Sequence, residues 1–159
     1  MRSVVNGWSL SPIIKLRSGL PFTVTNGNVD ANLDGNTNDR AQLIGDPSLS
    51  DPSATQWFNT AAFTQNRAVT GVAVDGSSPR NLLTGPMYHS VDLALSRDFR
   101  LQNRVKLAVR AEGTNIFNMV SLGQPGVSVP AAGTTSATFG VIRTANPMRR
   151  MQFGFRLSF

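Results

Sequence analysis

The stretch Arg150-Met151-Gln152-Phe153-Gly154-Phe155-Arg156-Leu157-Ser158-Phe159 decides the fold. Successive residues of an extended strand point to opposite sides. Met151, Phe153, Phe155, Leu157 and Phe159 therefore share one side, and Arg150, Gln152, Gly154, Arg156 and Ser158 the other. One side is wholly apolar and the other holds two arginines. At about 3.4 Å per residue and a tilt of about 45°, such a strand reaches roughly 20 Å, near the apolar band of about 25 Å of an outer-membrane barrel.

Outward from this ribbon the same two-residue period returns, and helical periodicity is hard to find. Strands are expected over about 7–25, 88–99, 104–118 and 148–159. In the second, Val91, Leu93, Leu95 and Phe99 oppose Asp92, Ala94, Ser96 and Asp98, with Arg97 interrupting the apolar side. In the third, Val105, Leu107, Val109, Ala111 and Phe117 oppose Lys106, Arg110, Glu112 and Thr114. The first carries Trp8, Leu10, Ile14, Leu16, Leu20, Phe22 and Val24 in phase, across from Lys15, Arg17, Thr23 and Thr25. Pro12 and Pro21 each remove a ladder donor there, so a bend or a break is expected.

The connections are unequal. Arg100-Leu101-Gln102-Asn103 is a short polar turn, whereas about 26–86 and 119–147 are long and rich in Gly, Asn, Asp, Ser, Thr and Pro. If the last strand ends in the periplasm, alternation of direction puts both long links outside the cell and the short turn inside. That asymmetry is the one bacterial barrels show. The fold class read from this pattern is all-β: antiparallel up-and-down strands, a C-terminal piece of a transmembrane β-barrel with long extracellular loops. Four strands cannot close a barrel, since about eight is the lower limit. An open sheet with an apolar face would leave two edges and an exposed patch.

Composition bounds the alternatives. Of 159 residues 40% are hydrophobic, too many for a disordered chain. They are scattered, and no run approaches the roughly 18 apolar residues of a membrane-spanning helix. There is no cysteine, which excludes a disulfide scaffold and a zinc–cysteine site. The net charge is +6 and the sequence pI near 11.3. The arginines are spread singly apart from Arg149-Arg150, with no basic helix or RNA-binding signature, so nucleic acid is not an expected partner. No apolar stretch follows the charge in Met1-Arg2-Ser3-Val4-Val5-Asn6-Gly7, so a secretory signal is not read there. Either the chain stays inside the cell or Met1 is an internal start in a longer gene, and the strand pattern favours the second.

Several stretches carry a family resemblance. They are Ser18-Gly19-Leu20-Pro21-Phe22, Asp30-Ala31-Asn32-Leu33-Asp34-Gly35-Asn36 and Trp57-Phe58-Asn59-Thr60-Ala61-Ala62-Phe63. Pro79-Arg80-Asn81, His89-Ser90-Val91-Asp92-Leu93-Ala94-Leu95-Ser96, and Arg110-Ala111-Glu112 leading to Asn115-Ile116-Phe117-Asn118 follow, before the terminal Gln152 to Phe159. In order and as a set they resemble the C-terminal barrel of TonB-dependent receptors, particularly those with an N-terminal carboxypeptidase-regulatory-like domain. The resemblance implies an outer-membrane importer with a barrel of about 22 strands around a plug. It implies as partners the rest of the barrel and its plug, outer-membrane lipid, the barrel-assembly machinery, and TonB through segments N-terminal to this chain. The chain is not expected to transport alone.

Each candidate site has a plainer reading beside it. Phe159, with Leu157, Phe155 and Phe153 at alternate positions, resembles the signal read by the barrel-assembly machinery, by strand addition; the plainer reading is a lipid-facing strand end. Asp30, Asn32, Asp34, Asn38 and Asp39 space oxygen atoms as calcium loops do, with Gly35 permitting the sharp turn. The carboxylate expected at the twelfth position is replaced by Ala41, and the alternative is a solvated, turn-rich loop. Lys106, Arg110, Glu112 and Arg156 are candidates for a polar barrel interior that contacts plug or substrate, or for charge pairing between strands. Trp8 and Phe117 suit an aromatic interface girdle or ordinary packing. His89 is the only histidine, so no histidine-based metal set is available, and no catalytic role is expected. A soluble carbohydrate- or ligand-binding β-sandwich would also explain the alternation, but it predicts a second sheet over the terminal phenylalanines. An enzyme finds no support, since neither a phosphate loop nor a nucleophile elbow is present.

Overall fold

A computed structural model of the chain describes residues 6–68, 70–101 and 104–159. Residues 1–5, part of the Met1–Gly7 segment, and Gln102 and Asn103 of the short turn lie outside the described residues. The fold is all-β. Its residues group into two compact units: a sheet unit of Tyr88–Ser121, Asn146–Phe159 and the chain up to Arg17, and a loop unit of Ser18–Met87 with Leu122–Ala145.

The sheet unit consists of β1 (Trp8–Arg17), β6 (Tyr88–Arg100), β7 (Lys106–Thr114) and β8 (Arg150–Ser158), antiparallel and in that spatial order. Directly opposed residues share a face, so register alone builds two surfaces. On one, Leu10, Leu95, Ala111 and Phe153 form a row, flanked by Trp8, Arg97, Val109 and Phe155 and by Pro12, Leu93, Gly113 and Met151. On the other, Ser9, Ser96, Arg110 and Gly154 align beside Ser11, Ala94, Glu112 and Gln152. The first surface is apolar apart from Arg97 and, at its far end, His89 opposite Leu16, and it is open: Leu16 is 75% exposed and Phe155 73%. Among the described residues no second layer covers the phenylalanines of the final ribbon, which is what a β-sandwich would require.

The loop unit holds β2 (Pro21–Phe22) paired with β5 (Leu83–Thr84), and β3 (Gln42–Leu43) paired with β4 (Phe63–Thr64). Its centre is aromatic. Phe58, 1% exposed, has the rings of Phe139, Phe63 and Phe22 at 5.3, 5.7 and 5.8 Å, two of them edge-on. Val24, Ala41, Ala62 and Val129 complete this core. Inside it the Asn26 amide donates to Asn66 O at 2.8 Å and accepts from Asn66 N at 2.9 Å, which satisfies two buried backbone groups at once.

Two expectations change. The strand expected over 7–25 stops at Arg17, and Phe22 and Val24 are apolar because they fill the loop unit's core, not because they meet lipid. The break falls at Gly19, where a Cβ would lie 1.7 Å from Gly85 O, while Gly85 N donates to Leu20 O at 2.9 Å. Only a glycine lets the two backbones approach so closely. Second, β7 ends at Thr114, because Asn115 and Asn118 adopt φ of 49° and 52° and turn the chain. Phe117 therefore belongs to a turn and not to the strand face. The long links, for their part, form a unit with its own core.

Candidate functional site

The polar face of the sheet forms a concavity of about 660 Å³ lined by Ser11, Asp92, Arg110, Glu112, Arg150 and Gln152 among others. Lys106, Arg110, Glu112 and Arg156 all lie on this face: Lys106 opposes Ser158, Arg110 opposes Gly154, Glu112 opposes Gln152, and Arg156 opposes Ala108. Arg110 and Glu112, two residues apart on β7, form an ion pair. So the charges expected to line a wet interior share one surface, and two of them neutralise each other.

One pair escaped the sequence reading. Lys15 Nζ lies 2.5 Å from Asp92 Oδ2, joining β1 to β6. The other Asp92 oxygen accepts from Ser90 Oγ at 3.0 Å and from Asn115 N at 2.9 Å. Asp92 thus ties the far end of β6 to the turn that ends β7. In that turn the Asn115 side chain accepts from Met119 N and donates to Met119 O, each at 2.9 Å. The signal for the ion pair was present as opposite charges on two polar strand faces. The register that joins them could not be read across the long insertion between β1 and β6.

The side chains of the Asp/Asn loop fold it on itself through a series of turns. Asn32 Oδ1 accepts from Asp34 N, Asp34 Oδ1 from Asn36 N, and Asn36 Oδ1 from Asn38 N, at 3.1, 2.8 and 3.1 Å. Each is an Asx turn two residues on, repeated three times. Asp30 accepts from the amides of Asp34 and Gly35, and Asp39, 9% exposed, from those of Ala31 and Asn32. These oxygens are directed at the loop's own amides. Among the described residues no group of three or more His, Cys, Asp or Glu side chains gathers as a metal site.

At the C-terminus Phe153, Phe155 and Leu157 project from the apolar face, and Phe159 beyond them is 99% exposed. Among the described residues β8 is bonded on one side only, to β7. A sheet with one apolar and one charged face, all its long strands antiparallel, has the arrangement of a membrane-barrel wall. A family model described as an outer membrane beta barrel domain matches residues 1–152. The chain belongs to this family. As a member it is a protein of the Gram-negative outer membrane, and its apolar face is the one suited to lipid. Comparison with curated proteins and with solved structures returned no match.

Proposed function

We propose that this outer-membrane β-barrel protein is a TonB-dependent receptor that imports an external ligand, and that β1, β6, β7 and β8 are part of its barrel wall. The observation that carries the wall reading is the pair of unpartnered edges, β1 and β8, on a sheet whose apolar face is open. An open sheet exposes unpaired backbone groups that lipid cannot satisfy, so further strands must close it. The polar concavity then faces the interior, where a plug would meet Arg110, Glu112 and Arg156. In this reading the loop unit stands outside the cell and contributes to ligand capture, while the hairpin between β6 and β7 faces the periplasm. The import reading is supported by the ordered set of family-like segments quoted above.

Phe159, with Phe153, Phe155 and Leu157, serves in this proposal as the strand recognised during barrel assembly. Its unpaired edge and full exposure suit recognition by strand addition. Removing Phe159 should deplete the protein from the outer membrane and send it to periplasmic proteolysis, whereas Phe159→Trp should restore it.

The import reading is tested with cells grown on a nutrient whose uptake requires this protein. Uptake should stop when the proton gradient across the inner membrane is dissipated, or when TonB is removed. Concentration-driven uptake that persists without either would identify a passive pore and overturn the receptor reading while leaving the barrel intact.

A further inference from the structure

Within the loop unit, three segments distant in the sequence meet around a cleft of about 400 Å³. Asn28, Gln65, Arg67, Ser128, Ser136 and Thr138 line it, and among the described residues no carboxylate does. Gln65 fixes the geometry. Its Nε2 donates to Asn26 O at 3.1 Å and to Val129 O at 3.3 Å, which ties the three segments together. Its Oε1 is left to accept from Arg67 Nη2 at 3.2 Å. Between them, Asn66 is held at its backbone by both ends of the Asn26 amide. Gly27 makes room for this arrangement: it adopts φ of 73°, and a Cβ there would lie 2.7 Å from Val129 O and 2.8 Å from Gln65 Nε2. Arg67 therefore springs from a braced position, with one of its several donors engaged by Gln65.

The lining is rich in donors. Ser136 Oγ accepts from the amides of Thr138 and Phe139, each at 3.2 Å, and lies 3.0 Å from Thr138 Oγ1. With its lone pairs occupied, the Ser136 hydroxyl donates to Thr138, whose own proton is then left for the cleft. Among the described residues Asn28 and Ser128 have no side-chain partner, and no acidic group pairs with Arg67. A cation and open donors that face no carboxylate suit an oxyanion, which forms the stronger, charge-assisted bonds. One cation balances one negative charge, so a carboxylate is matched better than a phosphate dianion. A second depression of about 400 Å³ shares Val129, Pro130, Ala131 and Ser136 with the first and is lined by Phe63 and Phe139. Apolar walls beside a few placed polar groups are the usual make-up of a small-molecule site.

We propose that the loop unit binds an organic monocarboxylate, with the carboxylate on Arg67 and Thr138 and the apolar body laid across Pro130 and Ala131 toward Phe63 and Phe139. The inference rests on the reading of the loop unit as the ligand-capturing part of the receptor, and it names the class of ligand captured. Binding and uptake are measured separately, so that either can fail without the other.

The protein, purified at its natural full length and placed in nanodiscs, is dialysed to equilibrium against radiolabelled phenylacetate or hexanoate, with empty nanodiscs subtracted. Both acids should bind saturably. The alcohols 2-phenylethanol and hexanol keep the apolar body but lose the charge, and should not displace them. Arg67→Gln removes a charge-assisted bond and should weaken binding by about tenfold to a hundredfold. Arg67→Lys keeps the charge without the planar fork and should fall between. Thr138→Val removes one neutral donor and should weaken binding about fivefold. Arg143→Gln changes an exposed arginine of the same unit outside the cleft and should bind as wild type. Arg67, Thr138 and Arg143 are all exposed, and unchanged trypsin cleavage at Arg40 and Arg80 should show that the loop unit keeps its fold in each variant. No saturable binding of either acid, unchanged affinity in Arg67→Gln, or displacement by the alcohols overturns the proposal and leaves the import reading standing. Tighter binding of inorganic phosphate than of either acid also overturns it, in favour of an inorganic-anion site. Saturable, Arg67-dependent binding with uptake that persists without TonB overturns the receptor reading and leaves the carboxylate site standing.

Discussion

Replacing Leu93 by lysine tests the facing of the sheet directly. From Phe99 to His89 the apolar face of β6 covers ten residue steps. At about 3.4 Å per step and a tilt of about 45°, these rows span roughly 24 Å of membrane depth. Leu93 lies six steps from Phe99, roughly 14 Å in and so near the middle. It stands in a row with Pro12, Gly113 and Met151. A lysine on the lipid face at that depth costs about 2–4 kcal/mol, or roughly thirtyfold to several-hundredfold in the folding equilibrium. Ala94 is the control. It is the next residue, at nearly the same depth, but it lies on the polar face in a row with Ser11, Glu112 and Gln152. A lysine there enters a polar surface beside a carboxylate and should change stability by less than about 1 kcal/mol. The assay is urea unfolding of the full-length protein in lipid vesicles, followed by tryptophan fluorescence and by the electrophoretic shift on heating. Equal losses for Leu93→Lys and Ala94→Lys, or a larger loss for the second, would refute the assignment of the two faces.

Other outcomes bear on the loop unit. Phe58→Ala removes a buried ring in contact with three others and should cost about 3–5 kcal/mol; trypsin cleavage at Arg40, Arg67 and Arg80 should accelerate while the barrel's heat-dependent shift is retained. Gly19→Ala places a methyl against Gly85 O and should cost about 1–3 kcal/mol or more, whereas Gly154→Ala, with nothing within 4 Å, should be silent in the same urea unfolding assay. The Ser48 amide donates to Asp46 at 2.9 Å, and this holds the Asp46 carboxyl below the ordinary carboxylate range. A depressed carboxyl contributes stability above its unfolded value of about 3.9 and loses it as pH falls through the folded value. Hydrogen exchange at Ser48 should therefore quicken only in acid below that range, and Asp46→Asn should remove the dependence.

The sheet was legible because register and alternation are local properties. Met151 to Phe159 show their two faces without reference to any neighbour, and so do Val91 to Phe99. The loop unit was not, since burial there comes from contacts between distant segments. Nothing local to Phe22 or Val24 distinguishes a residue facing lipid from one facing Phe58 and Phe139, and the strand period simply continued through them. The polar face was legible by residue type in Lys106, Arg110, Glu112 and Arg156. Its pairing of Lys15 with Asp92 was not, because that depends on how β1 is set against β6. The Asp30–Asp39 spacing left two readings open for a physical reason: the alternation of oxygen-bearing side chains that suits a cation also suits a succession of Asx turns.

About seventy residues separate β1 from β6, its neighbour in the sheet. Joining two such ends through a slack chain costs roughly 4 kcal/mol of entropy, and through a handful of residues little more than 1. The β2–β5 ladder and the Gly85–Leu20 bond fasten the two ends of that insertion together just beyond Arg17 and just before Tyr88. Once this knot is tied, the two strands meet almost as a hairpin would. A barrel protein can then carry a large insertion between adjacent staves of its wall without slowing the moment at which those staves find each other.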